Sequence, residues 1–188
     1  MKAFASAFFI AALTMTLLSG CVTTGSNAND KRKEINSMRN RVISDLYGYH
    51  PAARNLIASS PGYAVFSNVN VNVVLASFSG GQGVVRDNRT GKDTYMKMGE
   101  AGIGLGLGAK DFRAVFVFHD ERTMERFVNQ GWEFGVHADA AAKASEKGGA
   151  IGGEILADNM TIYQLTETGL ALQATVKGTK YWRDSNLN

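Results

Sequence analysis

At 188 residues the chain has room for one domain of ordinary size. Its 45% hydrophobic and 20% charged residues describe a globular protein and exclude a disordered or fibrous one. A formal net charge of +3 is too weak to imply nucleic acid as a partner, so where the charge sits matters more than its sum.

The first segment reads as an export signal spanning residues 1–20. Lys2 supplies the positive start, and Ala3 through Leu18 is uncharged and rich in apolar residues. That length suits a signal core of about 7–15 residues better than a membrane span of about 20. The segment ends at Leu18-Ser19-Gly20-Cys21, which resembles a bacterial lipobox. Cys21 is then the lipid anchor: its thiol takes a diacylglyceryl group, and cleavage frees its amine for a further acyl chain. Two or more chains anchor stably where one does not. Cys21 is also the only cysteine, which excludes a disulfide, a thiol nucleophile and a zinc–thiolate site from the mature domain. Val22 follows, rather than the aspartate that signals retention at the inner membrane. The expected location is therefore the periplasmic face of the outer membrane.

Val22 to Asn29 is a short polar tether, so residues 21–30 form anchor and linker, and 31–188 form a single domain. Asp30 to Tyr47 has helical spacing, with Ile35, Met38, Val42, Leu46 and Tyr49 on one face. Asn29 or Asp30 is the expected cap and Gly48 the expected stop. A second short helix is expected from Pro51 to Ala58, ended by Ser60-Pro61-Gly62.

From Tyr63 onward the pattern is largely β. Tyr63-Ala64-Val65-Phe66 is an apolar run, and Asn70, Val71, Asn72 and Val73 alternate. Gly83-Val84-Val85, the turn residues Asp87 to Gly91, and Thr94 to Met98 form a hairpin signal. Phe112 to Phe118 reads as a buried strand. Glu121 to Asn129 reads as a helix capped by Asp120 and stopped by Gly131. Trp132, Phe134 and Val136 alternate. Met160 to Leu165 and Leu170 to Val176 close the domain around Glu167-Thr168-Gly169. Together these elements predict an α+β fold: a packed antiparallel sheet, barrel-like if it curls, with N-terminal helices and one further helix.

The motifs point away from catalysis. Gly102, Gly104, Gly106 and Gly108 alternate with Ile103, Leu105 and Leu107, and Gly104-x-Gly106-x-x-Ala109 loosely matches a dinucleotide fingerprint. That fingerprint needs a following helix, whereas a strand follows here. Glycine at period two instead bares one face of a strand for close packing, or for a ligand. His50, His119 and His137 lack metal-ligand spacing, and His137-x-Asp139 supplies two ligands at most. No metal or cofactor is expected. Ser79-Gly80-Gly81 reads as a turn rather than a nucleophile elbow.

The first helix carries the strongest signal. Lys31, Arg32, Lys33, Arg39, Arg41 and Arg54 face only Glu34 and Asp45, a local excess of four positive charges. At about 100° per residue, Arg32 and Arg39 fall within about 60° of Ile35, beside the apolar stripe. Cations flanking an apolar face suit a membrane interface. They equally suit a helix docked on a sheet, and the pattern leaves both open.

Three stretches in order resemble the SYLF domain family, a lipid-binding module of bacterial lipoproteins and of eukaryotic actin-patch and endosomal proteins. They are Gly62-Tyr63-Ala64-Val65-Phe66, then Gly131-Trp132-Glu133-Phe134-Gly135-Val136 just after a helix, then Gly169-Leu170 through Lys177-Gly178-Thr179-Lys180. The resemblance covers roughly residues 31–182. It implies phospholipid binding, often of phosphoinositides, through basic residues near the N-terminal helix, here Lys31, Arg32, Lys33, Arg39 and Arg41. Ser67 stands where many members have proline, and 70–75 replaces a glycine-rich stretch. Actin, a partner of eukaryotic members, would be out of place for an exported bacterial protein. The expectation is thus a non-enzymatic, lipid-anchored envelope protein that binds anionic phospholipid. Its rivals are a structural lipoprotein that binds an envelope protein or peptidoglycan, and a hydrolase built on unremarkable carboxylates.

Overall fold

The computed structural model of the chain describes residues 27–68, 80–100, 113–133, 154–166, 169–170 and 179–188. Several expectations lie outside the described residues: the export segment with Cys21, the alternation at 70–73, the glycine ladder at 102–108, Phe134, Val136, His137 with 139–153, and the strand beyond Leu170. Within them the chain runs α1 (Ala28–Tyr49), α2 (Ala53–Ser59), β1 (Gly62–Ser67), β2 (Gly80–Asp87), β3 (Asp93–Glu100), β4 (Arg113–Phe118), α3 (Glu121–Gln130), β5 (Trp132–Glu133), β6 (Glu154–Ala157), β7 (Met160–Thr166), β8 (Gly169–Leu170) and β9 (Thr179–Arg183). The fold is α+β, as the patterning predicts. Among the described residues nine strands form one antiparallel sheet, ordered β5-β9-β3-β2-β1-β4-β7-β6 with β8 beside β7.

Helix boundaries shift for identifiable reasons. Asn27, rather than Asn29 or Asp30, caps α1: its side-chain oxygen accepts from the Asp30 amide at 2.9 Å, so the helix begins inside the segment read as tether. At the other end Gly48 does not stop it. Pro51 does, because a residue before proline is driven out of the α region, and His50 sits at φ −139°, ψ 81°. Pro51 and Ala52 form a turn, and α2 starts only at Ala53. Ile35, Val42 and Leu46 are buried as the stripe predicts, but Tyr49, the last residue of the helix, is 51% exposed.

β1 and β4 are apolar on both faces because both faces are covered. Val65, Val115, Val117, Tyr163 and Leu165 meet Val42 and Leu46 of α1 and Ala53 and Ile57 of α2. On the opposite face Phe66, Phe116, Met96 and Tyr181 pack with Met124 and Phe127 of α3 and with Trp132. α3 takes the bounds its signals predict: the Asp120 carboxylate accepts from the Thr123 amide at 2.7 Å, and Gly131 follows at φ 75°.

The sheet curls. Phe116, in the middle of the sheet, lies 5.6 Å from Trp132 and 5.0 Å from Tyr181, ring to ring, although β5 and β9 are the far strands of one side. The Trp132 indole donates to Asp158 at 3.3 Å, in the β6–β7 turn at the other extreme of the order. That turn is a two-residue hairpin, Asp158-Asn159, with both residues left-handed at φ 50° and 61°. Neither β6 nor β9 is evident as a separate strand in the sequence pattern.

Candidate functional site: the basic helix and its groove

Docking α1 on the sheet splits its cations between two flanks. Taking Ile35 as the buried meridian, the 100° step puts Arg32 and Arg39 on one side and Glu34, Arg41 and Asp45 on the other. The first flank faces the β2–β3 hairpin and the C-terminus. There the Arg39 guanidinium pairs with Asp93 at 3.0 Å, and Arg86 meets the same carboxylate oxygen at 3.1 Å. The Arg39 side chain is 13% exposed. Arg32 donates to the Leu187 carbonyl at 2.9 Å and to Asn29 at 2.8 Å, and lies over the Tyr95 ring at 5.9 Å. Asn36 donates to the Tyr95 hydroxyl at 3.1 Å on the same flank. Burial pushes the Tyr63 hydroxyl pKa up, against the opposing pull of the Arg39 and Arg86 charges. Arg54, counted in the basic excess, lies over the Tyr47 ring at 4.4 Å.

The remaining cations point away from these contacts. Lys31 and Arg41 are exposed, and their side chains make no hydrogen bond or ion pair among the described residues. Lys33 is 79% exposed, with Asp30 at 3.6 Å, a surface pair that contributes little. Of the five helix residues singled out by the sequence, Arg32 and Arg39 therefore fasten α1 to the sheet, while Lys31, Lys33 and Arg41 face outward. Spacing already sets Lys33 and Arg41 apart, at about 160° and 120° from Ile35 against about 60° and 40° for Arg32 and Arg39; it does not separate Lys31, which lies about 40° from Ile35 on the other side.

A groove of about 890 Å³ opens between the second flank and the ends of β1, β2 and β4. Lys33, Glu34, Ser37, Met38, Arg41 and Val42 form its helical wall. Ser67, Gln82 and Arg113 form its sheet wall, and Arg113 reaches across to Asp45 at 2.9 Å. The sheet-wall residues were missed from the sequence. Arg113, a cation opening an otherwise apolar strand, was the available signal.

No protein-family model matches the chain. Over 163 residues, 85% of its length, the chain is 36% identical to the beta cell expansion factor A of Aeromonas veronii, and it spans 60% of that protein.

Proposed function

We propose that this protein is a lipid-anchored envelope protein, held by acylated Cys21 at the periplasmic face of the outer membrane, that binds anionic phospholipid through α1. The observation that carries this reading is the division of the helix. Three cations, Lys31, Lys33 and Arg41, remain outward-facing after the fold has engaged Arg32 and Arg39. They belong to the helix that follows the proposed anchor most closely, where an acyl chain would bring them to a bilayer surface. The resemblance of three strand regions to the SYLF family supports the same assignment, and no enzymatic role is part of it.

The test is flotation of residues 22–188, which lack both the apolar segment and the thiol, with phosphatidylglycerol vesicles. Binding at low salt that fades as salt rises supports the reading, since such attraction decays over a Debye length of about 10 Å at 0.1 M. Absence of binding at low salt would leave the protein-partner reading. For that reading Leu156 on β6, 63% exposed, is the candidate contact.

A further inference from the structure

Charge on a helix surface can attract any anionic bilayer. A groove beside it can select a headgroup. We infer that the groove between α1 and the ends of β1, β2 and β4 is a headgroup site for a singly charged phosphodiester that carries hydrogen-bond donors, such as a glycerol or ethanolamine ester. The inference rests on the phospholipid-binding reading and specifies its ligand.

The chemistry of the walls sets the ligand class. Arg41 lines the groove and has no partner among the described residues, so its fork of donors is available to a phosphate. Lys33 lies eight positions earlier on the same wall, about 12 Å along the axis, with Ser37 midway between them. Long side chains can converge over that span onto one phosphate beside the Ser37 hydroxyl. The third cation, Arg113, is already matched by Asp45 at 2.9 Å. Glu34 stands on the same wall as Arg41.

Among the described lining residues three cations against two carboxylates leave a net charge of one, which one phosphodiester neutralises. A polyphosphorylated headgroup would bring several negative charges next to Glu34 and Asp45, at a cost in repulsion that the groove cannot offset. Those same carboxylates can accept from the hydroxyls or the ammonium of a glycerol or ethanolamine ester. Met38 and Val42 add apolar wall for the first methylenes. A volume of about 890 Å³ is ample for a headgroup, lying within the usual range of about 300–1,000 Å³ for small-molecule sites.

The experiment separates a shaped site from diffuse attraction by filling the groove without changing charge. Ser37 is exposed on the helix, so Ser37→Trp adds bulk to the wall and leaves every cation in place. Residues 22–188 and this variant are compared, with folding checked by circular dichroism. One arm uses phosphatidylglycerol vesicles, and the other uses soluble glycerophosphoglycerol, read through the Ser67 and Gln82 amide resonances. The expected result is at least a tenfold loss of vesicle affinity in the variant, and saturable shifts in the parent that the variant lacks. Inositol hexakisphosphate should compete no better than the diester. Equal vesicle binding by parent and variant, with no shifts from the diester, overturns the groove and leaves diffuse attraction standing. Shifts from the diester without vesicle binding keep the phosphodiester site but assign it to a soluble ester, and overturn the membrane reading. Preference for the polyphosphate overturns the ligand class.

Discussion

Phe116 is the position where the curl of the sheet can be tested by a single side chain. It is fully buried, and its ring lies 5.8 Å from Phe66, 5.3 Å from Phe127, 5.6 Å from Trp132 and 5.0 Å from Tyr181. These partners come from a central strand, from α3 and from the two strands at one side of the sheet. Phe116→Ala should destabilise by about 3–5 kcal/mol through lost burial and the cavity left behind. Phe116→Leu keeps most of the volume but loses four ring contacts, each worth about 0.5–1.5 kcal/mol beyond area. New aliphatic contacts recover part of that, so about 2–3 kcal/mol is expected. At about 2–4 °C per kcal/mol for a domain of this size, the alanine variant should melt roughly 6–20 °C lower than the parent. Thermal and urea unfolding followed by circular dichroism read both values. An alanine variant within about 1 kcal/mol of the parent would refute the convergence of these elements on one ring.

Gly131→Ala should cost about 2–4 kcal/mol in urea unfolding, because φ 75° with ψ −179° is a glycine conformation and a Cβ would stand 2.5 Å from the Tyr181 carbonyl oxygen. A neutral result would mean that α3 does not end as described. Acid should destabilise the fold in a defined window. Burial alone would raise the Asp87 pKa, but bonds from Thr90 and Arg89 outweigh it and hold the group below its usual value; the Thr123 amide bond does the same for Asp120. Depressed carboxylates stabilise above their unfolded pKa of about 4 and lose that contribution as pH falls through their lower folded values. The melting temperature should therefore hold from pH 7 to about 5 and drop below about 4, with a smaller drop in the Asp87→Asn, Asp120→Asn double variant. Cys21→Ala should yield an unprocessed, unacylated chain by intact mass, and normal maturation of it would remove the anchor from the account.

Local signals were legible wherever one residue determines the geometry. Asp120 and Gly131 bracket α3, and the 87–91 turn places β2 against β3, because a cap, a left-handed glycine and a turn cluster each act within a few residues. The end of α1 departs from its glycine signal because Gly48 is tolerated within a helix whereas Pro51 acts on the residue before it. β9 escaped notice because its stability comes from pairing with β3 and β5, and Thr179–Arg183 alternates too briefly to stand out. The site was half legible for the same reason. The charge excess on α1 is a sequence property, but its division is set by Asp93, 54 positions from Arg39, and by Leu187, 155 positions from Arg32.

The central claim is that α1 holds the fold with one set of cations and meets phospholipid with another. Its most direct test is the affinity of residues 22–188 for phosphatidylglycerol vesicles at low salt, compared with the Lys31→Gln, Lys33→Gln, Arg41→Gln triple variant. Each cation near an anionic surface contributes about 1 kcal/mol, so three account for about 3 kcal/mol before the share countered by Asp30 and Glu34 is removed. The account predicts at least a tenfold loss of affinity at an unchanged melting temperature. Undiminished binding by the triple variant would contradict it.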